Sequence, residues 1–470
     1  MRAGLCLWQS PSQEPSEERH SVKVAQRAAV PPFQVMSILD RVAQIRAEGR
    51  DVISLCAGEP SGGAPADVVA AAQAAHEAND LGYTSALGPQ ELRAAIAGHY
   101  QRWYALPVTA EDVAVTTGSS GAFLLAFLAA FDPGDRVALA SPGYPAYRNI
   151  LTALGCQVVD IPCGPAQRFQ PTPELLAAAH DQEPLAGLVV ASPANPTGTM
   201  IPRSELAALT AWCDAHGVRL ISDEIYHGIT YPGPTGTSDA RPGEAGRPGS
   251  AGAPGRAGKA GDSASTGNDG GPEGWSEPST GEEPELQDVT ARGVSAWESS
   301  RTGCVVSSFS KYWGMTGWRL GWMLMPEDLR PSIDALAGNI ALCPPAPAAR
   351  AALAAFTDSS YAEADARVAS FARTRAHLLE RVPELGWGSI APADGAFYLY
   401  ADLADTLGPH PDSVSWCRGL LEEQGVAAVP GVDFDPGSGS RFVRLSFAAG
   451  SDAVETAVER IAAFQAGLAR

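Results

Sequence analysis

The sequence predicts an α/β protein: a large domain with a mainly parallel sheet flanked by helices, and a smaller α+β domain. Two patterns support this fold class. Up to about position 326, short apolar runs alternate with longer segments of helical periodicity, which is typical of βαβ units. Beyond that position, long Ala-rich helical patterns are followed by short apolar strands. With 470 residues and 45% hydrophobic content, the chain is long enough to bury a large core.

Each predicted strand of the large domain is a short apolar run that leads into a polar or Gly/Pro-containing turn. We expect these strands at residues 113–116, 137–140, 185–191, 218–222 and 303–307. The helical patterns cover residues 91–103, 121–131, 204–216 and 362–381. In the smaller domain, we expect short strands at residues 397–401 and 442–447.

A Gly/Pro-rich stretch interrupts the large domain. Residues 233–284 contain 14 glycines and 7 prolines, and Trp275 is their only large apolar side chain. Such a segment buries too little surface to offset its chain entropy, so we predict a disordered insertion over 233–293. Its glycines recur at every third position from Gly243 to Gly261, but so few triplets favour plain low complexity over a collagen-like triple helix.

These patterns divide the chain into a flexible tail, two parts of a large domain, and two parts of a small domain. The predicted boundaries are 1–24 for the tail, 25–60 for the N-terminal segment of the small domain, 61–232 and 294–326 for the large domain, and 327–470 for the rest of the small domain.

Composition excludes several classes of partner. The formal net charge of -20 and pI near 4.8 argue against nucleic acid, which needs a basic face. The densest apolar stretch, residues 122–131, is far shorter than the roughly 20 residues of a membrane span and predicts a buried helix. The N-terminal residues lack the apolar core of a signal peptide, so we expect a cytoplasmic protein. Eight scattered cysteines without metal-binding spacing predict reduced thiols and no metal site.

Lysine is rare, which makes Lys311 conspicuous among the three lysines of the chain. It follows an apolar run in the segment SSFSKYWGMTGWRLGW, so we expect it just beyond the carboxyl end of a strand. Ligands of open α/β sheets bind at that edge. A lysine amine there can form a Schiff base with an aldehyde. A solvated surface lysine is ordinarily the commoner interpretation, and the scarcity of lysine weakens it.

The stretch from S-F-S-K to G-W-R-L-G resembles the class I/II aminotransferases, the fold-type I pyridoxal-phosphate enzymes. The resemblance extends from about residue 25 to the C-terminus, apart from the insertion. It implies the fold-type I architecture, pyridoxal 5'-phosphate as cofactor, and Lys311 as the residue that carries the cofactor as a Schiff base. The small domain would then combine the N-terminal segment with the C-terminal part.

Further motifs match the family's contacts to the cofactor ring. By resemblance, Asp223 of LISDEIYHG pairs with the protonated pyridine nitrogen, and Tyr226 and Asn195 bond the phenolic oxygen. Tyr144 of SPGYPAYRN matches the aromatic residue that stacks on the ring. In isolation, an Asp-Glu pair at a strand end also suits a helix N-cap, and Asn-Pro only marks a turn.

The phosphate of the cofactor needs several donors. A Gly-Ser-Ser turn opens into a helix in TTGSSGAFLLAF, and helix N-termini bind anions. The resemblance assigns Ser119 and Ser120 to the phosphate, together with Ser308 and Arg319. Tyr83 matches a tyrosine that reaches the phosphate of the neighbouring subunit, which implies a homodimer with shared active sites.

Two residues are assigned to the substrate besides Asn195. Arg444 lies on a predicted strand, and the resemblance implies that it clamps the α-carboxylate of the amino acid. Arg441 should face the other side of that strand and serve as an internal control. Gly58 matches a glycine that lies over the substrate, where we expect that only a residue without a side chain fits.

The resemblance implies a ping-pong transamination between an L-amino acid and a 2-oxo acid. The same residues also serve β-lyases and related C-S lyases or synthases of this fold, and the ligand-sensing module of a transcription regulator is a third interpretation. No motif identifies a second arginine for a distal carboxylate, and Arg148 and Arg301 are the candidates. The bulky Tyr312-Trp313 pair is expected to shape the pocket.

Overall fold

The computed structural model describes residues 22–56, 58–79, 81–231 and 292–468. The predicted tail up to residue 21, and the predicted insertion from 233 to 291, lie outside the described residues. Arg292 and Gly293, which the prediction assigned to the insertion, belong instead to the folded part. Arg292 forms an ion pair with Asp365 at 2.6 Å, so the insertion boundary at 293 is wrong by two residues.

The N-terminal segment contains α1 (Gln34–Ala47) and β1 (Ile53–Ser54). The large domain follows with α2 (Ala66–Glu77) and α3 (Gln90–Tyr104). In α1, Val42 and Ile45 are buried while most of the other positions stay in contact with solvent. This helix is therefore amphipathic, with one apolar face against the core.

A seven-stranded sheet forms the centre of the large domain. Its strands are β2 (Val113–Thr116), β3 (Arg136–Ser141), β4 (Gln157–Pro162), β5 (Gly187–Ala191), β6 (Arg219–Asp223), β7 (Cys304–Ser308) and β8 (Gly321–Leu324). Their order is β2-β8-β7-β6-β5-β3-β4, and only β8 runs antiparallel to its neighbours. The carboxyl ends of β5, β6 and β7 consequently meet at one edge of the sheet.

Helices cover both faces of this sheet. Successive strand residues alternate between two apolar clusters, so that Leu188 and Val190 face one cluster and Val189 faces the other. One face packs against α4 (Gly118–Ala130), α5 (Pro145–Leu154) and α8 (Arg330–Ile340). The other packs against α3, α6 (Pro173–Gln182) and α7 (Arg203–His216). Burial on both faces explains why these strands are continuous apolar runs.

The C-terminal part contains α9 (Ala346–Ala351), α10 (Asp358–Arg381), β9 (Tyr398–Asp402), α11 (Ser413–Gln424), β10 (Val426–Ala427), β11 (Val429–Pro430), β12 (Phe442–Ser446) and α12 (Ser451–Leu468). Strands β11, β12 and β9 form an antiparallel sheet. Strand β10 pairs in parallel with β1, which joins the N-terminal segment to this part of the chain.

The predicted fold class is confirmed, and every predicted strand and helix is present with ends shifted by up to four residues. In the central sheet the prediction missed β4 and β8, and elsewhere it missed the two-residue strands β1, β10 and β11. Strand β4 lies at the sheet edge with several half-buried positions, which weakens its apolar pattern. Strand β8 follows the lysine motif so closely that its sequence was assigned to that motif alone. The buried helix predicted from residue 121 begins at Gly118, because the Gly-Ser-Ser turn is its first turn.

The described residues also bear on the predictions about membrane spans, cysteines and metal sites. No helix among them is both long and apolar enough to cross a membrane. The cysteines in that part of the chain are all free, and most are buried. No cluster of potential metal ligands occurs within the described ranges either.

Candidate active site

A cavity of about 390 Å³ lies where β5, β6 and β7 end, next to the first turns of α4 and α5. All predicted site residues except Ser308 and Tyr83 line it, namely Gly58, Ser119, Ser120, Tyr144, Asn195, Asp223, Tyr226, Lys311, Arg319 and Arg444. Residues from the N-terminal segment, the large domain and the C-terminal part thus meet in one place. A cavity of this size suits a small organic ligand.

Lys311 lies in the turn after β7, and its Nζ donates a hydrogen bond to the carbonyl oxygen of Gly58. Burial lowers the pKa of the Lys311 ammonium group to about 8, although the negative charges of Glu59 and Asp223 oppose the shift. About a tenth of the amine is therefore uncharged at pH 7. The position and the lowered pKa make it a nucleophile and a proton acceptor near neutral pH.

Asp223 is the last residue of β6, and its side chain is buried. Its carboxylate accepts hydrogen bonds from the Tyr147 hydroxyl and, at 3.0 Å, from the Ile225 backbone N–H. Burial raises the pKa of the Asp223 carboxyl to about 6, while these hydrogen bonds and Lys311 oppose the shift. Asp223 is thus mostly ionised at pH 7 and can pair with a cationic group in the cavity.

Sequence reasoning missed Tyr147, although a local signal was available. Tyr147 lies in the first turn of α5, three residues after Tyr144, which is the N-cap residue of that helix. The resemblance assigns Tyr144 to the cofactor ring, so a second tyrosine three residues further along was the next candidate. The two rings meet edge to face, with centroids 5.4 Å apart.

Tyr226 follows Asp223 in the turn after β6, and its hydroxyl lies 2.8 Å from the hydroxyl of Tyr398. Tyr398, on β9, also lines the cavity and was not predicted. Burial raises the pKa of both phenols, so each keeps its proton at neutral pH. A phenol that stays protonated can donate a hydrogen bond to an oxygen of a ligand.

Arg444 projects from β12 and is 4% exposed. Its Nη1 donates to Asn195 Oδ1 at 2.9 Å, and its Nη2 donates to the Cys56 carbonyl oxygen at 2.9 Å. Its buried Nε–H has no hydrogen-bond partner among the described residues. A buried guanidinium with unused donors at a cavity wall favours a carboxylate ligand. Arg441 lies just before β12, pairs with Asp402 and does not line the cavity.

The first turn of α4 forms an anion cradle with Arg319. Gly118 has a φ of +69°, and a Cβ there would lie 2.5 Å from Arg319 Nη2. The backbone conformation therefore favours glycine at this position, and any side chain there would also displace the Arg319 guanidinium. Ser119 and Ser120 follow on the cavity wall, where helix N–H groups, hydroxyls and a cation come together.

Ser308 departs from the prediction, while the expectations for Tyr83 and Gly58 involve a second chain and a substrate. Ser308 lies behind the wall, where its hydroxyl contacts Leu320 O at 2.9 Å and Ser310 Oγ at 2.7 Å, and Ser310 occupies the wall instead. Tyr83 is 85% exposed and away from the cavity of its own chain. At Gly58, a Cβ would lie 3.6 Å from Tyr398 Oη, which is an ordinary contact, so the predicted need for glycine there rests on the room for the substrate.

The candidates for a distal-carboxylate arginine are wrong within this chain. Arg148 pairs with Asp160 on the surface, and Arg301 stacks on Trp297 at 4.9 Å; neither lines the cavity. The Tyr312-Trp313 pair does not shape the pocket either. Both side chains are about 2% exposed and belong to the apolar core.

Comparison with known proteins agrees with this geometry. The family model for aminotransferase class I and II matches residues 50–252 and 280–461. A valine–pyruvate aminotransferase from Mycobacterium tuberculosis is 48% identical over 439 residues, which are 93% of this chain and 97% of the relative. An aspartate/prephenate aminotransferase from Thermus thermophilus is 31% identical over 436 residues, 92% and 96% of the two chains.

Solved structures show the same similarity. The crystal structure of an aminotransferase from Mycobacterium tuberculosis superposes with a TM-score of 0.80 at 48% identity and covers 95% of this chain and 100% of that one. An aspartate aminotransferase from Thermus thermophilus with maleate gives a TM-score of 0.77 at 28% identity, with 94% and 100% coverage. Fold and site thus define an enzyme of the fold-type I class. The chain belongs to the class I and II aminotransferase family, whose members depend on pyridoxal phosphate.

The residues of the cavity fit this cofactor. The cradle of Gly118 and Arg319 suits a phosphate, because it combines a helix N-terminus with a guanidinium. Asp223 supplies a buried carboxylate for a ring nitrogen, Tyr226 a phenol for a ring oxygen, and Lys311 an amine for an aldehyde.

Proposed function

We propose that the protein transfers an amino group between an L-amino acid and a 2-oxo acid by a ping-pong mechanism, with Lys311 as the covalent anchor of the cofactor. The observation that carries this proposal is that Lys311 Nζ, with its lowered pKa, shares one cavity with the buried Arg444 and Asp223. An amine, an α-carboxylate site and a carboxylate for the cofactor ring are the groups that transamination requires.

When bound, pyridoxal phosphate supplies an aldehyde that condenses with amines and a ring that accepts electrons from the α-carbon of the substrate. Asp223, mostly ionised near neutral pH, would hold a proton on the ring nitrogen. Tyr226 and Asn195 would donate to the ring oxygen, and Tyr144 would pack on the ring. Ser119, Ser120 and Arg319 would bind the phosphate.

Arg444 orients the substrate. Its Nη groups are held by Asn195 and by the Cys56 carbonyl oxygen, so the guanidinium has a fixed direction before the substrate arrives. Its remaining Nη–H donors bind the α-carboxylate. The free Lys311 amine would take the proton from the α-carbon of the substrate and deliver it to the cofactor carbon that carried the aldehyde, because a pKa near 8 permits proton transfer in both directions.

We also propose that two copies associate and share their active sites, with the Tyr83 side chain of each copy reaching the phosphate of the other. Tyr83 is 85% exposed, and Ile340 and Leu342 are 48% and 51% exposed. Gly338 of α8 lies next to Ala86, since a Cβ on Gly338 would be 3.6 Å from Ala86 Cβ, so these apolar side chains belong to one region of the surface. Sedimentation velocity should give the mass of a dimer.

A β-lyase reaction is the alternative for this cavity, because the same residues labilise the proton on the α-carbon. The relatives found by comparison carry aminotransferase names, which supports transfer over elimination. An elimination would release ammonia without converting pyruvate to alanine, and this difference separates the two reactions.

The test uses the purified protein loaded with pyridoxal phosphate. We expect a visible absorption band that borohydride bleaches, and alanine formation from an amino donor and pyruvate. Valine with pyruvate is the first pair to assay, since one relative is named for it. Lys311→Ala should lose both the bleachable band and turnover. Turnover that survives this substitution, or ammonia release without alanine, would reject the proposal.

A further inference from the structure

The N-terminal part of α1 forms an apolar wall of the cavity. Phe33, just before the helix, and Val35, Met36 and Leu39 within it all line the cavity. We call Val35, Met36 and Leu39 the α1 wall. None of these residues was identified from the sequence, because their pattern is that of an ordinary amphipathic helix.

The face of α1 that packs on the core explains why Met36 and Leu39 are left uncovered. Val35, Ile38, Val42 and Ile45 pack in the apolar cluster of the C-terminal part, at a helical spacing of three or four residues. Met36 and Leu39 lie one position further along, about 100° around the helix. They are 54% and 38% exposed although they line a cavity. Large apolar side chains left uncovered in a cavity are typical of a binding surface.

The position of the α1 wall is fixed by a residue that is distant in sequence. The N-cap residue Phe33 offers no capping side chain, and Asp433 takes this role. Its Oδ1 accepts from the Gln34 N–H at 3.1 Å and its Oδ2 from the Val35 N–H at 3.2 Å. An ionised carboxylate stabilises a helix N-terminus. Asp433 also lines the cavity, so it adds a negative charge beside the wall.

The charges on the cavity wall define which substrates can be accommodated. The charged side chains that line it are Asp223, Lys311, Arg319, Asp433 and Arg444. Lys311 is the covalent anchor, Arg319 belongs to the phosphate cradle, and Arg444 binds the α-carboxylate. In the described part of this chain, no further cation lines the cavity to meet a second carboxylate, and Asp433 would repel one.

Building on the proposed function, we infer that the α1 wall is the pocket for the substrate side chain, and that the enzyme takes aliphatic amino acids with a single carboxylate. Covering Met36 and Leu39 with an aliphatic side chain removes apolar surface from water. A side-chain carboxylate at the same place would lose water against apolar side chains beside Asp433, and no further cation in the described part of this chain would pair with it, so we expect aspartate and glutamate to be poor substrates.

The first experiment compares donors on the holoenzyme with pyruvate as acceptor. We expect kcat/KM for valine, leucine and norvaline to exceed the values for aspartate and glutamate by about 100-fold or more, because a buried group without a partner is rejected more strongly than a missing methylene. Calorimetry with unreactive ligands gives a readout that is independent of turnover. The monocarboxylate isovalerate should bind more tightly than the dicarboxylate maleate.

The second experiment adds the missing cation. Met36→Arg and Leu39→Arg should each lower the preference for valine over aspartate at least about tenfold and improve maleate binding. Two positions are used because an arginine that pairs with Asp433 is lost to the substrate. Ser37→Arg is the matched control: it places the same charge on an exposed neighbour in α1 that does not line the cavity, and it should leave the preference unchanged.

The outcomes separate this inference from the proposed function. Equal or better use of aspartate or glutamate by the unmodified enzyme overturns the inference and leaves transamination intact. A change of preference in Ser37→Arg equal to that in Met36→Arg overturns the assignment of the pocket to the α1 wall. Failure of every donor, together with the absence of a band that borohydride bleaches, rejects the proposed function itself.

Discussion

The hydrogen bond from Tyr147 to Asp223 favours the ionised form of this buried carboxylate, and Tyr147→Phe tests this directly. The substitution removes the hydroxyl donor and keeps the ring, which packs on Phe123 with centroids 4.9 Å apart. Asp223 then retains only the Ile225 N–H, at 3.0 Å. Because burial favours the neutral carboxyl, the loss of a donor should raise its pKa further.

The size of the change follows from the strength of the bond. A hydrogen bond to a charged group contributes about 1.5–3 kcal/mol, and one pKa unit corresponds to about 1.4 kcal/mol. The pKa of Asp223, about 6 in the unmodified protein, should therefore rise by about one to two units. At pH 7 the ionised fraction would fall from about nine tenths to between about a half and a tenth.

The assay is the pH dependence of kcat/KM between about pH 5 and 9.5, on enzyme loaded with the cofactor. A protonated ring nitrogen of the bound cofactor would lower the pKa of Asp223 in both proteins. The measured quantity is therefore the difference in pH between the acid limbs of the two profiles. We expect the limb of Tyr147→Phe at higher pH by about one to two units and nearly equal activity above pH 9. The dissociation constant of the cofactor, measured by tryptophan fluorescence as a function of pH, should show the same shift along the pH axis.

Tyr100→Phe is the matched control. It removes another buried phenol hydroxyl, which accepts from Trp322 Nε1 at 3.1 Å and does not contact Asp223. It should affect stability without moving the acid limb. Acid limbs that superpose for Tyr147→Phe and the unmodified enzyme would refute the assignment of Tyr147.

Two further predictions concern buried ionisable side chains, Glu224 and Arg444. Burial raises the pKa of Glu224 from 4.5 to about 8, so the folded state binds more protons than the unfolded state between these values, and stability falls as pH rises through them. Glu224→Gln can still accept from the Ala296 N–H and does not titrate. Its unfolding free energy minus that of the unmodified protein, measured by urea denaturation, should thus increase by roughly 2–4 kcal/mol from pH 5 to pH 8. A difference that stays constant with pH would contradict this. Arg444→Met should lower kcat/KM by about 30- to 5,000-fold, from a loss of about 2–5 kcal/mol, while Arg441→Met should change it little; similar losses in both would contradict the assignment of Arg444 to the substrate.

The sequence was most informative where function depends on contiguous residues. Lys311 and Asp223 follow apolar runs directly, so their position at the carboxyl edge of the sheet could be predicted. The Gly-Ser-Ser turn predicted an anion site because a helix begins within it. Ser308 shows the limit of this reasoning: a shift of two residues in a tight turn decides that Ser310 reaches the wall.

Residues that act through distant partners escaped prediction. Tyr398 lies 172 positions from Tyr226, and its role appears only when β9 packs beside the turn after β6. The same is true of Asp433, which caps a helix 399 positions away. Met36 and Leu39 show no local sign of a binding surface, because an apolar residue on an amphipathic helix is ordinarily part of the core.

By itself, the sequence determined the α/β class, the strands that end at the site, and the reactive amine with its neighbouring motifs. These features depend on side-chain periodicity and on backbone geometry within a few residues. Only the tertiary structure decided the ionisation of Asp223, the bond of Arg444 to Asn195 and the apolar wall opposite the charges. Burial and long-range hydrogen bonds set these properties, and both arise from how the sheet, α1 and the C-terminal strands pack together.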